Sequence, residues 1–182
     1  MSNCYFDDYC FYQSPFGLIR ICKTGGFLTR VEFFEQSPES KQSQSESIQI
    51  SNSLLKDARS QLGEYFEGRR KKFDLSLKPH GTKFQRSAWK SLLSIPYGET
   101  RSYLQQAEHM HNPKAIRAIG QANSRNPIPI IIPCHRVIGK NGSLTGYAGG
   151  LERKKRLLAL EQLYARTKLL ERISCPIVVD SP

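Results

Sequence analysis

The spacing of apolar residues changes at Pro79-His80-Gly81, and that break limits what the chain can fold into. Before it, short apolar stretches run between turn signals: Tyr9 to Tyr12, then Ser14-Pro15-Phe16-Gly17, Leu18 to Cys22, Gly25-Gly26, and Phe27 to Phe34. Such a pattern predicts short antiparallel strands joined by tight turns. Ser37 to Ser53, rich in Ser, Gln and Glu, predicts a mobile loop. A helix follows, because Leu54, Leu55, Ala58, Leu62, Tyr65 and Phe66 fall on one face, and it ends near Gly68. Phe73, Leu75 and Leu77 predict a last strand.

After the break the punctuation is helical. Thr82 is an N-cap signal for a helix carrying Phe84, Ala88, Trp89, Leu92 and Leu93, which Pro96-Tyr97-Gly98 stops. A second short helix begins at Ser102. A third is predicted with Asn112 as N-cap and Pro113 in its first turn, running through Ile116, Arg117 and Ile119 to about Asn123. Two helices joined by a short turn resemble a helix-turn-helix. A fourth spans Leu151 to Leu163, with Leu157, Leu158, Leu160 and Glu161 along it.

Charge separates the same two parts. The net charge is +11, and residues 81–165 carry 13 Lys/Arg against 4 Asp/Glu, whereas residues 1–80 carry 11 against 10. A basic block of turn-linked helices suits a polyphosphate partner, since neutralised phosphates release counterions, although a merely solvated basic surface has the same composition. The longest apolar run, around Ile128 to Pro133, is far short of a membrane span, and Met1 to Tyr9 lacks a signal-peptide pattern. Cys4, Cys10, Cys22, Cys134 and Cys175 do not form a disulfide framework, so a reducing compartment is expected.

Ile130-Ile131-Ile132-Pro133-Cys134-His135-Arg136-Val137 is the stretch richest in chemistry. The β-branched run predicts Cys134 at a buried strand end, where burial raises a thiol's pKa and favours a structural role. The adjacent His135 and Arg136 argue the other way, because a base or cation favours the nucleophilic thiolate. Pro133 to Val137 resembles the O6-alkylguanine-DNA alkyltransferases. So do Gly98-Glu99-Thr100-Arg101-Ser102-Tyr103, Asn112 to Gly120, Asn126-Pro127 and Gly146 to Leu151. The resemblance is strong over residues 81–162 and weak before them, where Ser14-Pro15-Phe16-Gly17 carries most of it.

The resemblance implies an α/β fold of the α+β kind. Residues 1–80 would form a small antiparallel-sheet domain of ribonuclease H-like type, residues 81–165 a helical, winged helix-turn-helix-like DNA-binding domain, and residues 166–182 a tail. It implies that Cys134 accepts the alkyl group, that His135 takes the thiol proton through a water, and that Glu161 orients the imidazole. Tyr103 would donate a proton to the departing base, and Asn126 would tie the third-helix segment to the active-site turn. The carbonyls of Cys134 and Val137 and the amide of Ala148 would read the base edge, with Tyr147 and Pro129 in the same pocket. Arg117 would fill the gap left by a flipped nucleotide. Ala115, Ala118 and Gly120 would let the helix approach the minor groove, and Arg125 would bind DNA.

Taken without the resemblance, Glu161 is an ordinary helix residue, Tyr103 a core tyrosine and Asn126 turn chemistry beside Pro127. Double-stranded DNA containing O6-alkylguanine is the expected partner, with O4-alkylthymine a second candidate substrate. The chain is expected to be monomeric, away from membranes, and cytoplasmic, or nuclear in a eukaryote. No cofactor is expected. Some relatives hold a structural zinc, but here Thr29 and Asp74 stand where its histidines are expected, so no metal is predicted. Three rivals remain: a non-catalytic damage-recognition relative, which would lack the cysteine; a helix-turn-helix regulator, which would carry an added metal-binding module; and a Cys-His hydrolase, which would turn over many times.

Overall fold

A computed structural model describes residues 6–34 and 52–173. Three strands, β1 (Asp8–Ser14), β2 (Gly17–Thr24) and β3 (Phe27–Phe33), form an antiparallel meander in that order. Each hairpin closes over two residues, with Ser14 opposite Gly17 and Thr24 opposite Phe27. Ser14 Oγ secures the first turn by donating to Gly17 O at 2.6 Å and accepting from Phe16 N at 3.1 Å. The run read as a loop at Ser37 to Ser53 lies outside the described residues except at its end. There Asn52 caps α1 (Ser53–Phe66), its side chain accepting from the Leu54 and Leu55 amides. Leu55, Ala58, Leu62, Tyr65 and Phe66 bury the predicted face of α1 in a core shared with Cys10, Ile19, Ile21 and Val31 of the sheet.

Gly68 ends this helix at φ +74, and its surroundings forbid a side chain: a Cβ there would lie 2.2 Å from Cγ of Tyr164. The last strand predicted at Phe73, Leu75 and Leu77 does not form. Only one parallel bridge, Leu28 to Leu77, joins it to the sheet, with Leu28 N donating to Ser76 O and Lys78 N to Leu28 O. Its backbone is taken elsewhere, since the Gln61 carboxamide both accepts from Asp74 N and donates to Asp74 O, each at 2.9 Å.

The second part is helical. Capping boxes start α2 (Lys83–Leu92), through Thr82 and Gln85, and α3 (Tyr103–His109), through Ser102 and Gln105. The predicted cap at Asn112 is not made: its side chain donates and accepts nothing at the helix start, and a 3-10 turn, Pro113–Ala115, precedes α4 (Ile116–Ser124). A buried polar knot locks the three helices. Gln106 donates to Ala88 O and Ser91 Oγ on α2 and accepts from Asn123 Nδ2 on α4 at 2.8 Å, while Trp89 Nε1 donates to Ala122 O. Two short parallel strands, β4 (Arg101–Ser102) and β5 (Val137–Ile138), tie the start of α3 to the cysteine segment.

The final helix, α5 (Leu151–Ile173), runs past the Leu163 end read from sequence, and its backbone stays helical through the first part of the segment taken for a tail. The architecture is therefore mixed α/β, an antiparallel three-stranded sheet with one helix followed by a helical part. No helix among the described residues is long and apolar enough to cross a membrane.

Candidate active site

The three isoleucines before Pro133 do not make a strand, contrary to the expectation from their branching. Residues 126–134 fold into a compact loop in which Ile130 sits at φ +73, a strained region for a β-branched residue. Asn126 holds it there. Its Nδ2 donates to Ile132 O at 2.8 Å and its Oδ1 accepts from Ile128 N at 3.0 Å. The same Nδ2 lies 3.2 Å from the Cys134 sulfur, to which it donates. Val31 N of β3 donates to Pro127 O at 2.8 Å, so the loop also leans on the sheet edge.

Cys134 opens a 3-10 turn, Cys134–Arg136, and is buried. Burial pushes its thiol up to about 11, against the pull of the Asn126 hydrogen bond and the Lys154 ammonium. The thiol is therefore protonated at rest, which corrects the expectation that His135 and Arg136 draw it towards thiolate. Arg136 is committed elsewhere: Nε donates to Glu161 Oε2 at 2.9 Å, Nη2 to Glu161 Oε1 at 2.9 Å, and Nη1 to Ile95 O at 2.7 Å.

Glu161 is the hub, and like His135 it is fully buried. His135 Nε2 meets its Oε1 at 2.8 Å, Tyr65 OH donates to that same oxygen at 2.8 Å, and Gly98 N donates to Oε2 at 3.0 Å. Burial opposes the carboxylate's charge, but the hydrogen bonds and charges of His135 and Arg136 outweigh it and bring the pKa down to about 2. His135 is shifted below its ordinary value, because burial outweighs the help of Glu161. Its Nδ1 is buried without a hydrogen-bond partner among the described residues.

Lys154 is fully buried one turn into α5. Its Nζ donates to Val137 O at 2.6 Å and Thr145 O at 2.7 Å, and burial lowers its pKa to about 8 while Cys134 raises it. Tyr103 OH donates to the same Thr145 carbonyl at 3.1 Å. Tyr147 is buried with its hydroxyl unpartnered among the described residues, and burial, then Cys134, raises its phenol well above the ordinary range. A pocket of about 390 Å³ opens beside the loop, where Asn126, Pro129 and Ala148 face Glu32 and Phe33 of β3, with Arg125 at its border.

On α4, Arg117 and Ala118 are exposed and Gly120 half-exposed, while Ile119 enters the core; Ala115, in the 3-10 turn before it, is half-exposed. Packing does not demand a glycine at 120, since a Cβ there would meet the Tyr103 ring at an ordinary 3.8 Å. Among the described residues no group of three or more His, Cys, Asp or Glu gathers as a metal site; Cys4 lies outside them.

Two family descriptions fit the chain: "6-O-methylguanine DNA methyltransferase, ribonuclease-like domain" over residues 8–79, and the DNA binding domain of the same name over residues 83–163. A "Methylated-DNA--protein-cysteine methyltransferase" of Methanosarcina acetivorans is 48% identical over 153 residues, covering 84% of this chain and 97% of that protein. The chain belongs to the 6-O-methylguanine DNA methyltransferase family. Another methyltransferase, from Mycolicibacterium paratuberculosis, is 44% identical over 89% of this chain and 96% of its own. The crystal structure of Mycobacterium tuberculosis O6-methylguanine methyltransferase superposes with a TM-score of 0.74 at 43% identity, covering 89% of this chain and 98% of that one. The M. tuberculosis protein crystallised in complex with DNA gives 0.73 at 42%, covering 86% and 93%.

Within this methyltransferase-family chain, Cys134, His135, Glu161 and Asn126 come together as a connected set, with Tyr103 joined to them through Thr145 and Lys154. Arg117 and Ala118 stand on the exposed face of α4, with Gly120 half-exposed on the same helix and Ala115 in the turn that leads into it. Sequence reasoning missed the roles of Tyr65, Gly98, Arg136 and Lys154. Lys154 had left a signal: it shares the core-facing stripe Lys154, Leu157, Leu158, Glu161, and a lysine in such a stripe is a buried charge. Tyr65 left none, since an aromatic on the buried face of α1 looks like core whether or not its hydroxyl is used.

Proposed function

We propose that this chain is a methylated-DNA–protein-cysteine methyltransferase that repairs duplex DNA by moving the alkyl group from O6 of an extruded guanine onto Cys134, once per chain. The observation that carries this reading is the buried set around the thiol, with Asn126 on the sulfur and His135 clamped by Glu161. An ionised Glu161 only accepts hydrogen bonds, so neutral His135 carries its proton on Nε2 and presents a lone pair at Nδ1. That buried lone pair is the base. A water between Nδ1 and the thiol carries the proton across.

The sulfur then attacks the alkyl carbon in line, the S–C bond forms as the C–O6 bond breaks, and the electron pair passes into the guanine ring. Tyr103 leaves Thr145 O and protonates a ring nitrogen, so the base departs neutral. Val137, Ala148, Tyr147 and Pro129 hold the base. Since O6 is hidden inside a duplex, the nucleotide is flipped out, with Arg117 filling its place and Ala115, Ala118, Gly120 and Arg125 along the groove. The chain acts as a monomer in a reducing compartment, cytoplasmic or nuclear, which keeps Cys134 a free thiol.

The thioether product has no acidic proton and no leaving group, so the reaction stops after one event. Intact mass spectrometry after exposure to O6-methylguanine DNA should give a single gain of about one methylene on the Cys134 peptide. Cys134→Ser should abolish transfer and keep DNA binding, because a hydroxyl is barely ionised near neutral pH. Turnover beyond one equivalent would return the hydrolase reading.

A further inference from the structure

The N-terminal part of the chain has no place in the chemistry above, yet one of its side chains reaches the hub. Tyr65 on α1 is fully buried and sends its hydroxyl to Glu161 Oε1 at 2.8 Å, across 96 residues of sequence. That is the oxygen His135 holds, at the same 2.8 Å. The ring is fixed from three sides, edge-on to Phe66 and Tyr97 and tilted against Phe73, so the hydroxyl has little freedom to turn away.

We propose that Tyr65 is a positioning residue for the His135–Glu161 pair, its phenol restricting how the imidazole meets the shared carboxylate oxygen and how much of that oxygen's charge it receives. A carboxylate oxygen has two in-plane lone-pair directions. Oε1 is crowded beyond that, since besides Tyr65 and His135 it accepts from Nη2 and Nε of Arg136 at 2.9 and 3.2 Å, so the phenol and the guanidinium together narrow the direction from which His135 can approach, and with it the plane of the ring and the aim of Nδ1. Each donor also withdraws charge from the oxygen, so the phenol holds down the basicity that Glu161 confers on His135.

The charged and titratable groups facing the pair are Tyr65 from α1, Tyr97 from the turn after α2, Cys134 and Arg136 from the 3-10 turn, and Lys154 from α5. Among them Tyr65 is the one that shares an oxygen with His135 and carries no charge. Removing its hydroxyl therefore changes the pair without adding or deleting an ion. Thus α1 and the sheet it packs on hold part of the site in register.

The proposal rests on His135 being the base, and two readouts on full-length Tyr65→Phe keep them apart. The first is the titration midpoint of the His135 ring by 15N NMR, which needs no alkyl transfer. It should rise by about half to one unit, because Oε1 loses a donor and favours the imidazolium more. The second is the pH profile of transfer to O6-methylguanine DNA, whose acid limb should move up by the same amount, with rates converging on wild type above pH ~8. A ring midpoint that moves without the limb keeps the positioning role and overturns the base role. An unmoved midpoint, or a ring that titrates in neither protein over the pH range in which the fold persists, overturns the proposal. A uniform loss of rate at every pH with an unmoved midpoint also overturns it, since that is the mark of lost packing alone.

Discussion

Replacing Glu161 with Gln should destabilise the fold strongly at neutral pH and progressively less in acid. In the folded chain the carboxyl titrates at about 2 against an ordinary 4.5. It is fully buried, so solvent does not screen the effect. A depression of that size corresponds to roughly 3 kcal/mol of stability, present above the unfolded value and lost as pH falls through the folded one. Integrated, about 2 kcal/mol of it is gone by pH 3. The independent estimate for stranding one partner of a buried ion pair, here Arg136, is about 3–5 kcal/mol. The two agree in size. A protonated Glu161 and the variant's carboxamide are both uncharged, so the two proteins should converge at low pH. The single tryptophan, Trp89, is buried and reports urea unfolding by fluorescence. The gap between wild type and variant should be about 3 kcal/mol at pH 7 and about 1 at pH 3. A gap unchanged between those two pH values would refute the electrostatic reasoning. One below about 1 kcal/mol at pH 7 would mean that burial of the carboxylate cancels its hydrogen bonds.

Two further outcomes are expected. Arg117→Ala should slow repair of duplex DNA much more than reaction with the free modified base; equal losses on the two substrates in single-turnover assays would remove its assignment as the residue filling the stack. Gly68→Ala combines a φ of +74 with a Cβ 2.2 Å from the Tyr164 ring, and should cost more than about 2 kcal/mol in urea titrations. Adding Tyr164→Ala should restore part of that loss, leaving the backbone strain of roughly 1 kcal/mol, and no restoration would show that the ring is not what forbids the side chain.

What the sequence announced were features closed within a few residues. The Thr82 cap, the helix start at Ser102 and the tight hairpins are made between near neighbours, and they formed where expected, with Gln85 and Gln105 completing caps that the sequence reading had not named. The features it hid depend on distant partners. Gln61 captures the backbone at Asp74 and denies the third strand's edge a full neighbour, which no local pattern at Phe73 to Leu77 reveals. Three isoleucines in a row look like a strand until Asn126 bends them and drives Ile130 to positive φ. In the site, the family motif carried Cys134, His135, Glu161 and Asn126, whereas the protonated state of the thiol follows from burial that only the packed chain supplies.

The bond from Val31 N to Pro127 O has a bearing on how the protein keeps. A strand at the rim of a sheet offers its free amides and carbonyls to any other extended chain, which is a common start of aggregation. Among the described residues, the rim along β3 is occupied by two segments that are not strands: the chain at Ser76–Lys78, which takes both backbone groups of Leu28, and the cysteine loop, which takes Val31. Loosening residues 126–134 therefore does more than disturb the thiol. It strips one of the two covers from an otherwise sticky rim, so damage to the reactive loop and loss of solubility should arrive together.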